Sequence, residues 1–246
     1  MNNSVNCGIA DIRNIAQCYD AVMRTLQRNP NLSGLACFYG PSGFGKSFAA
    51  NYVANKTGAH YVQVKSTYTK KSFLQAVLRE MAIPAPKTLN DMMELAASEL
   101  AKTNKPLIVD EFDHLADSSR VEVVRDLYEA SQGTIIIIGE ERLPKKLEQW
   151  ERFHGRILNW AAALPTDLND CKLLKAVYAP DIHIEDAVLE RLLVAVKGST
   201  RRVSSNLENL KELTLENGED TVTMANLKRI LPHGFVTGES PKPRTF

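Results

Sequence analysis

The sequence lacks a surplus of charge, a cysteine-rich pattern and any long hydrophobic run. Its 246 residues include 30 lysines and arginines against 29 aspartates and glutamates, so the net charge of +1 gives no general attraction for nucleic acid. The four cysteines show neither C-x-x-C spacing nor a Cys/His metal pattern, which indicates reduced thiols in a cytosolic protein. No apolar run approaches the ~18 residues that span a bilayer, and the first residues lack a signal-peptide pattern. We therefore expect a soluble intracellular protein without a membrane partner.

Apolar residues make up 44% of the chain and charged residues 24%, which is typical of a globular protein. Five short apolar segments predict strands, at residues 34–39, 60–64, 106–109, 134–138 and 156–160. Helical patterns alternate with these strands, at 9–27, from 46 onward, and at 72–81, 88–100, 121–130 and 143–153. This alternation predicts an α/β fold in which a five-stranded parallel sheet has helices on both faces.

The strand signals stop after Pro165 and Thr166, where the composition of the chain changes. Helical patterns then follow at residues 168–178, 184–196, 200–216 and 223–231. We therefore expect two domains, an α/β domain over 1–165 and a small all-helical domain over 166–231. The remaining segment, 232–246, is rich in proline and glycine and is predicted to be a disordered tail.

A glycine-rich turn lies between the first predicted strand and the helix after it. Residues 40–47 read GPSGFGKS and match G-x-x-x-x-G-K-[ST] in full. Glycines permit a tight turn that presents backbone N–H groups to a phosphate, and the helix N-terminus adds a positive dipole end. Lys46 is then expected to neutralise the β- and γ-phosphates of a nucleotide, and Ser47 to place its hydroxyl on Mg²⁺. The predicted nucleotide-binding set is Gly40, Pro41, Ser42, Gly43, Phe44, Gly45, Lys46, Ser47 and Phe48.

A pair of carboxylates follows the third predicted strand, where Val109 runs directly into Asp110 and Glu111. A phosphate loop needs a carboxylate on a neighbouring strand to hold Mg²⁺ through water, and Asp110 is suited to that role. Glu111 is suited to polarise the attacking water, which hydrolysis requires and binding alone does not. The pair therefore favours an ATPase with ATP and Mg²⁺ as its cofactors.

The two motifs and the helical C-terminal part together resemble the AAA+ ATPases, which are P-loop NTPases with a helical lid. The resemblance implies an arginine finger that reaches a neighbouring subunit, and Arg156 has the position for it, with Arg152 as the competitor. It also implies a lid arginine that contacts the nucleotide, either Arg201 or Arg202, with Arg201 preferred. Arginine suits both places because it keeps its charge and offers several fixed donors to phosphate. A surface ion pair is the alternative role for Arg156.

Within that class, four segments resemble the B transposition proteins of Mu-like phages, which are similar to ATPase subunits of related transposons and to ExeA-type ATPases. The segments are residues 40–47, 110–115 (DEFDHL), 139–144 (GEERLP) and 150–156 (WERFHGR). The resemblance implies ATP-dependent binding of double-stranded DNA without sequence preference and homo-oligomers in the form of helical filaments or rings. It also implies delivery of target DNA to a transposase in the cytoplasm of a bacterial host.

Two features depart from this family. Only 39 residues precede the phosphate loop, too few for the N-terminal helix-turn-helix domain of the phage protein together with the first helix, so we expect the ATPase domain itself to contact DNA. AAA+ proteins usually have a small polar residue, called sensor 1, at the end of the fourth strand. Here that strand ends in Gly139-Glu140, so Glu140 is the candidate for the sensor role.

The basic segment after the second predicted strand is the candidate DNA contact. Lysines and hydroxyls suit backbone phosphates and carry no evident base code. The resemblance implies that this edge faces the central channel of an AAA+ assembly. The alternative is a solvated loop that caps the next helix. The predicted contacts are Lys65, Thr67, Tyr68, Lys70 and Lys71, with Arg120 as a weaker candidate.

Two other functions remain open at this point. A helicase loader or an ExeA-type assembly ATPase has the same motifs, but a loader binds a replicative helicase and prefers single strands. A nucleotide-dependent scaffold with little hydrolysis is the third possibility. The presence of Glu111 argues against a scaffold, whereas the unusual end of the fourth strand is compatible with it.

Overall fold

A computed structural model describes residues 9–238, which divide into two compact units. One unit comprises Asn14–Ser42 and Lys46–Ala163 and is the α/β part. The other comprises the described residues of Met1–Arg13, Gly43–Gly45 and Leu164–Phe246, and it contains the C-terminal helices.

The α/β unit is built on a five-stranded sheet. Its strands are β1 (Leu35–Gly40), β2 (His60–Gln63), β3 (Leu107–Asp110), β4 (Ile135–Glu140) and β5 (Ile157–Ala162). The spatial order is β2-β3-β4-β1-β5, and every neighbouring pair is parallel. The predicted five-stranded parallel sheet is therefore confirmed. Because the strands are parallel, the C-terminal ends of β1, β3 and β4 lie at one edge of the sheet, where α/β proteins bind their ligands.

Helices cover both faces of this sheet. They are α1 (Arg13–Leu26), α2 (Lys46–Thr57), α3 (Lys70–Glu80), α4 (Leu89–Thr103), α5 (Asp113–Ala116), α6 (Val121–Ser131), α7 (Leu143–Leu147) and α8 (Glu151–His154). Alternate residues of β1 point to opposite faces, so Leu35 and Cys37 join a buried cluster with α3, α4 and α6, while Ala36 and Phe38 are buried on the other side. The central strands are apolar along their length because both faces are covered.

Helix caps explain where two of these helices begin. The side chain of Thr69 accepts a hydrogen bond from the backbone N–H of Ser72, whose hydroxyl in turn accepts from the Thr69 backbone, a reciprocal capping box at the start of α3. Thr88 caps α4 in the simpler way, by accepting from the N–H of Asp91. Both helices lie between β2 and β3, and the first turn of α3 contains Lys70 and Lys71 of the predicted DNA contacts.

Two helices in the first 165 residues differ from the sequence prediction. The helix predicted over 9–27 begins only at Arg13. The segment predicted as one helix over 143–153 is two short helices, because Trp150 has a non-helical backbone (φ −108°, ψ 62°) and its indole Nε1 donates to the carbonyl oxygen of Ala116 at 3.0 Å. That long-range hydrogen bond fixes the chain between α7 and α8.

The C-terminal unit is helical, as predicted, apart from one short strand pair. Its elements are α9 (Leu168–Tyr178), β6 (His183–Ile184), α10 (Asp186–Ala195), α11 (Thr200–Glu216), β7 (Thr221–Val222) and α12 (Leu227–Ile230). β6 and β7 pair in parallel, and the helix predicted over 223–231 shortens to α12 because the Thr223 N–H bonds to the side chain of Asn226. Between residues 9 and 238, no helix combines the length and the apolar character that crossing a bilayer requires.

The tail differs in part from the prediction of disorder over 232–246. Residues 232–238 are described, and Val236 exchanges two hydrogen bonds with the side chain of Asn206 on α11, at 2.8 and 3.0 Å. Asn206 is itself buried, so its amide group requires these partners. The rest of the predicted tail, 239–246, lies outside the described residues.

Candidate active site

The phosphate loop joins the end of β1 to the start of α2. Gly43 and Gly45 have φ values of 84° and 80°, in the left-handed region that residues with a Cβ avoid. At Gly43 a Cβ would also lie 2.6 Å from the hydroxyl oxygen of Ser199, which is too close for real atoms. A residue with a Cβ would be strained at either position. The backbone geometry therefore accounts for these two glycines of the motif.

The amine of Lys46 lies against the loop that precedes it. Its Nζ donates to the carbonyl oxygens of Gly40 at 2.7 Å and Pro41 at 2.9 Å. Burial lowers the pKa of Lys46, while the carboxylates of Asp110, Glu111 and others nearby act in the opposite direction. The amine therefore stands among backbone carbonyls and carboxylates at the C-terminal edge of the sheet. The first turn of α2 also contains Ser47, which is half-buried.

The middle of the loop contacts the start of α11. The backbone N–H of Arg201 donates to the carbonyl oxygen of Gly43 at 2.9 Å. The neighbouring Arg202 has its guanidinium beside Gly238, in the segment after α12. Of the two lid arginines that the sequence offered, Arg201 is the one whose backbone touches the phosphate loop.

Asp110 ends β3 as predicted, and the residue is only 2% exposed. One oxygen, Oδ1, accepts from the backbone N–H of Glu111 at 2.8 Å, and the other, Oδ2, accepts from the hydroxyl of Tyr61 on β2 at 2.7 Å. Sequence reasoning missed Tyr61, because nothing in a strand residue 49 positions away signals this contact. The buried carboxylate thus has one hydrogen bond on each oxygen.

Glu111 has an unusual backbone for a residue with a side chain. Its φ is 55°, in the left-handed region, and its side chain is half-buried. Burial raises the pKa of Glu111, Asp110 adds to that effect, and the charges of His114 and Lys46 oppose it. Strained backbone of this kind persists only where surrounding contacts enforce it, and it concentrates at functional sites.

The end of β4 lies beside these residues. The register pairs Glu140 with Gly40 of β1, and the Glu140 N–H donates to Oδ2 of the buried Asp113 at 2.6 Å. Lys146 lies 3.2 Å from Oδ1 of Asp113 and 2.9 Å from Asp117, and hydrogen bonding to Asp117 raises its pKa. The side chain of Glu140 is exposed, so it is the backbone of this residue that is held in place.

Gly139 is required by the same arrangement, since a Cβ on it would lie 2.4 Å from Oδ2 of Asp113. Neither Asp113 nor Lys146 was singled out from the sequence, where Lys146 reads as part of a solvated helix face. An acidic residue three positions after Asp110 was the only available signal for this link.

The two finger candidates lie at α8 and just after it. Arg156 is half-exposed; its guanidinium pairs with Glu129 of α6 at 2.6 Å and also donates to the carbonyl oxygen of Arg152 at 3.0 Å. Arg152 has an exposed side chain. The ion pair that the sequence offered as the alternative role of Arg156 is therefore present, with Glu129 as the partner.

The predicted DNA contacts lie together after β2. Lys65, Thr67 and Lys71 are exposed, Tyr68 and Lys70 are half-buried, and α3 has no acidic residue in its first turn. Arg120 reaches the same segment: its guanidinium donates to the carbonyl oxygen of Tyr68 at 2.6 Å and to the hydroxyl of Ser118 at 2.6 Å. Arg120 therefore holds the segment around Tyr68 in place by hydrogen bonding, in addition to contributing a positive charge.

The oxygen donors at the strand ends suit a hard divalent cation. Asp110 offers a buried carboxylate and Ser47 a hydroxyl, and magnesium prefers oxygen ligands. Across the described part of the chain, no group of three or more histidine, cysteine or acidic side chains is arranged to hold a metal. These residues fit an ion that takes its remaining ligands from nucleotide phosphates and water, which is how magnesium usually binds.

Comparisons with known proteins agree with this geometry. Residues 31–147 match the family model described as an AAA domain. The Aeropyrum pernix ORC2 protein in its ADP form superposes with a TM-score of 0.66 at 18% identity, covering 90% of this chain and 67% of that one. Cdc6p from Pyrobaculum aerophilum gives 0.63 at 15% identity, with 94% and 69% covered. The Thermotoga maritima RuvB Holliday junction branch migration motor gives 0.62 at 15%, with 89% and 68% covered.

These findings confirm the predicted fold class: the protein has the P-loop NTPase fold of the AAA+ type. The matched residues, 31–147, contain the phosphate loop, Asp110 and Glu111. No curated protein sequence matches the chain. At these identities the solved structures establish the fold alone.

The link between Asp113 and Glu140 yields a prediction. Asp113→Ala removes the acceptor of the Glu140 N–H, so we expect hydrogen exchange of that amide to accelerate about tenfold or more, the effect of losing a charge-assisted hydrogen bond. Asp117→Ala is the matched control, because it removes the other partner of Lys146 and leaves the Glu140 amide bonded. Exchange followed by NMR or mass spectrometry measures both. Equal protection of the amide in the two variants would contradict the assigned role of Asp113.

Proposed function

We propose that this protein is an ATP-dependent DNA-binding ATPase that assembles on duplex DNA and delivers target DNA to a transposase. The observation that carries the ATPase part is the arrangement at the C-terminal edge of the sheet. There the amine of Lys46 shares its surroundings with the buried Asp110 and the strained Glu111, at the C-terminal ends of β1 and β3, the two strands on either side of β4. The AAA-domain match over residues 31–147 supports the same conclusion.

The nucleotide is bound by the loop from Gly40 to Ser47 and the first turn of α2. Its backbone N–H groups receive the phosphates, and Lys46 turns its amine from the loop carbonyls to the β- and γ-phosphate oxygens. Ser47 and Asp110 would hold magnesium, which neutralises charge on the phosphates when it is bound. Phe48 is 47% exposed and adds an apolar surface at the start of α2, while Arg201 contributes its charge from α11.

Glu111 is the residue that we assign to hydrolysis. Its left-handed backbone turns the chain away from the strand direction, and its N–H donates to the carboxylate of Asp110. A carboxylate in this position polarises the attacking water. Glu140 stands next to Gly40 in the sheet register, where it contributes negative charge near Lys46.

Arg156 is assigned as the finger that reaches the nucleotide of a neighbouring copy. Its side chain is half-exposed, and its ion pair with Glu129 is of the surface type that costs little to break. Arg152 remains the competing residue. Filament or ring assembly follows from this assignment, because a finger has a function only where two copies meet.

The basic segment after β2, with Arg120 beside it, is assigned to the phosphate backbone of DNA. Its lysines lie at the positive end of α3, and no base-reading pattern accompanies them. The Aeropyrum pernix Orc1 protein, whose solved structure is a complex with DNA, superposes with a TM-score of 0.64 at 14% identity. The transposition role rests on the resemblance of residues 110–115, 139–144 and 150–156 to the phage B proteins.

Hydrolysis is tested first with Glu111→Gln. We expect ATP binding to persist, phosphate release to fall by about a hundredfold or more, and DNA complexes to outlast those of the unaltered protein, because only the activation of water is lost. Glu141→Gln removes one exposed carboxylate nearby and serves as the control. Lys46→Ala is expected to abolish nucleotide binding and DNA assembly together. Normal phosphate release from Glu111→Gln would remove Glu111 from its role and favour a scaffold.

The finger assignment is tested with Arg156→Ala against Glu129→Gln. Both break the same ion pair, but only the first removes the guanidinium, so only the first should lose cooperative assembly while single copies still bind ATP. Electron microscopy of the protein with duplex DNA and a slowly hydrolysed ATP analogue measures assembly. If Arg152→Ala abolishes the filaments and Arg156→Ala spares them, the finger is Arg152.

The DNA surface is tested with the double change Lys70→Ala and Lys71→Ala. The logarithm of the association constant for duplex DNA falls as the logarithm of the salt concentration rises. Loss of two phosphate contacts should make this slope shallower by about 2. Lys102→Ala with Lys105→Ala removes the same charge near the opposite end of β3 and should leave the slope unchanged. An unchanged slope in the first pair contradicts the assignment. A preference for single strands in the unaltered protein would favour a helicase loader instead.

A further inference from the structure

We infer that Tyr61 is a positioning residue for magnesium, acting through the carboxylate of Asp110. The inference rests on the proposed ATPase function and adds a residue that no motif contains. Tyr61 lies on the edge strand β2, with its Cα paired with Ile108, two residues before Asp110 in β3. From there its hydroxyl reaches along β3 to Oδ2 of Asp110 at 2.7 Å.

The hydrogen bonds of Asp110 define the plane of its carboxylate. The Glu111 N–H holds Oδ1 and the Tyr61 hydroxyl holds Oδ2, so rotation about the bond to the carboxylate would break both. Each oxygen keeps a further lone pair, which is what a magnesium-bound water needs as its acceptor. The carboxylate is therefore oriented before any ion binds, and only its second set of lone pairs is left for the ion's water shell.

The contact between Tyr61 and Asp110 is a hydrogen bond from the phenol hydroxyl to a carboxylate oxygen, with a length of 2.7 Å. Because the aromatic ring of Tyr61 is rigid, this hydrogen bond holds Oδ2 at a fixed place beside β2. Groups that hold metal ligands in this way are known to change metal affinity by about tenfold to a hundredfold when they are removed.

The test compares Tyr61→Phe with Tyr178→Phe, which removes a hydroxyl from α9 in the C-terminal unit. A fluorescent ATP analogue measures nucleotide binding in EDTA and during a Mg²⁺ titration, and electron paramagnetic resonance measures Mn²⁺ bound to the protein–ATP complex. We expect Tyr61→Phe to weaken the affinity for both metals about tenfold and to leave nucleotide binding in EDTA unchanged. Tyr178→Phe should alter neither quantity.

A double-mutant cycle between Tyr61 and Asp110 provides a second measurement, the coupling of the two residues in Mn²⁺ affinity, and it does not depend on one variant alone. If Tyr61 acts through Asp110, adding Tyr61→Phe to Asp110→Asn should give little further loss of Mn²⁺ affinity, since the two changes remove the same interaction. Additive losses would overturn the inference. Thermal unfolding of each variant establishes that the compared proteins are folded.

The remaining outcomes separate this inference from the proposed function. Unchanged metal affinity in Tyr61→Phe, or loss of nucleotide binding in EDTA, overturns the positioning role while the ATPase assignment stands. Failure of the unaltered protein to bind the ATP analogue overturns the proposed function, and the inference with it.

Discussion

The buried carboxylate of Asp110 is the constraint on which the rest of the site depends. Asp110 is only 2% exposed, and a buried carboxylate needs hydrogen-bond donors because burial removes the water that would otherwise solvate it. The chain supplies the Tyr61 hydroxyl from one side and the Glu111 N–H from the other. The amine of Lys46 donates to the carbonyl oxygens of Gly40 and Pro41 in the phosphate loop. Under the proposed function, a divalent cation would bind between the carboxylate and the nucleotide phosphates.

The residue after Asp110 has a strained backbone that redirects the chain. Glu111 adopts a left-handed conformation, which costs on the order of 1 kcal/mol or more for a residue with a Cβ, and this conformation sets the direction of the residues that follow it. The following N–H, of Phe112, then donates to the carbonyl oxygen of Ile138 at 2.8 Å. Asp113 continues the connection by accepting from Glu140. Phe112 and Asp113 therefore tie the end of β3 to the end of β4, and Glu111 is held between these contacts and its own hydrogen bond to Asp110.

The sequence was sufficient for the features that depend on neighbouring residues in the chain. The phosphate loop, the alternating strands and helices and the acidic end of β3 each require a local pattern, such as glycine at a positive φ or apolar residues at a fixed period. Contacts between distant residues were not predictable in this way. Tyr61 and Asp110 are 49 positions apart, and Asp113 and Glu140 are 27 apart, so their pairing follows from the order of strands in the sheet. The break at Trp150 has the same origin, since its partner is Ala116.

Arg156 illustrates how the two interpretations of one residue can both hold. Its ion pair with Glu129 joins two side chains that are each 41% exposed, and pairs of this kind contribute about 1 kcal/mol or less. A negatively charged phosphate brought by a second copy, as proposed, would be a stronger partner, because a guanidinium offers several charged hydrogen-bond donors to phosphate. Glu129 then keeps the guanidinium occupied in the single copy at little energetic cost. The ion pair does not argue against the finger, since exchanging a weak partner for a strong one favours assembly.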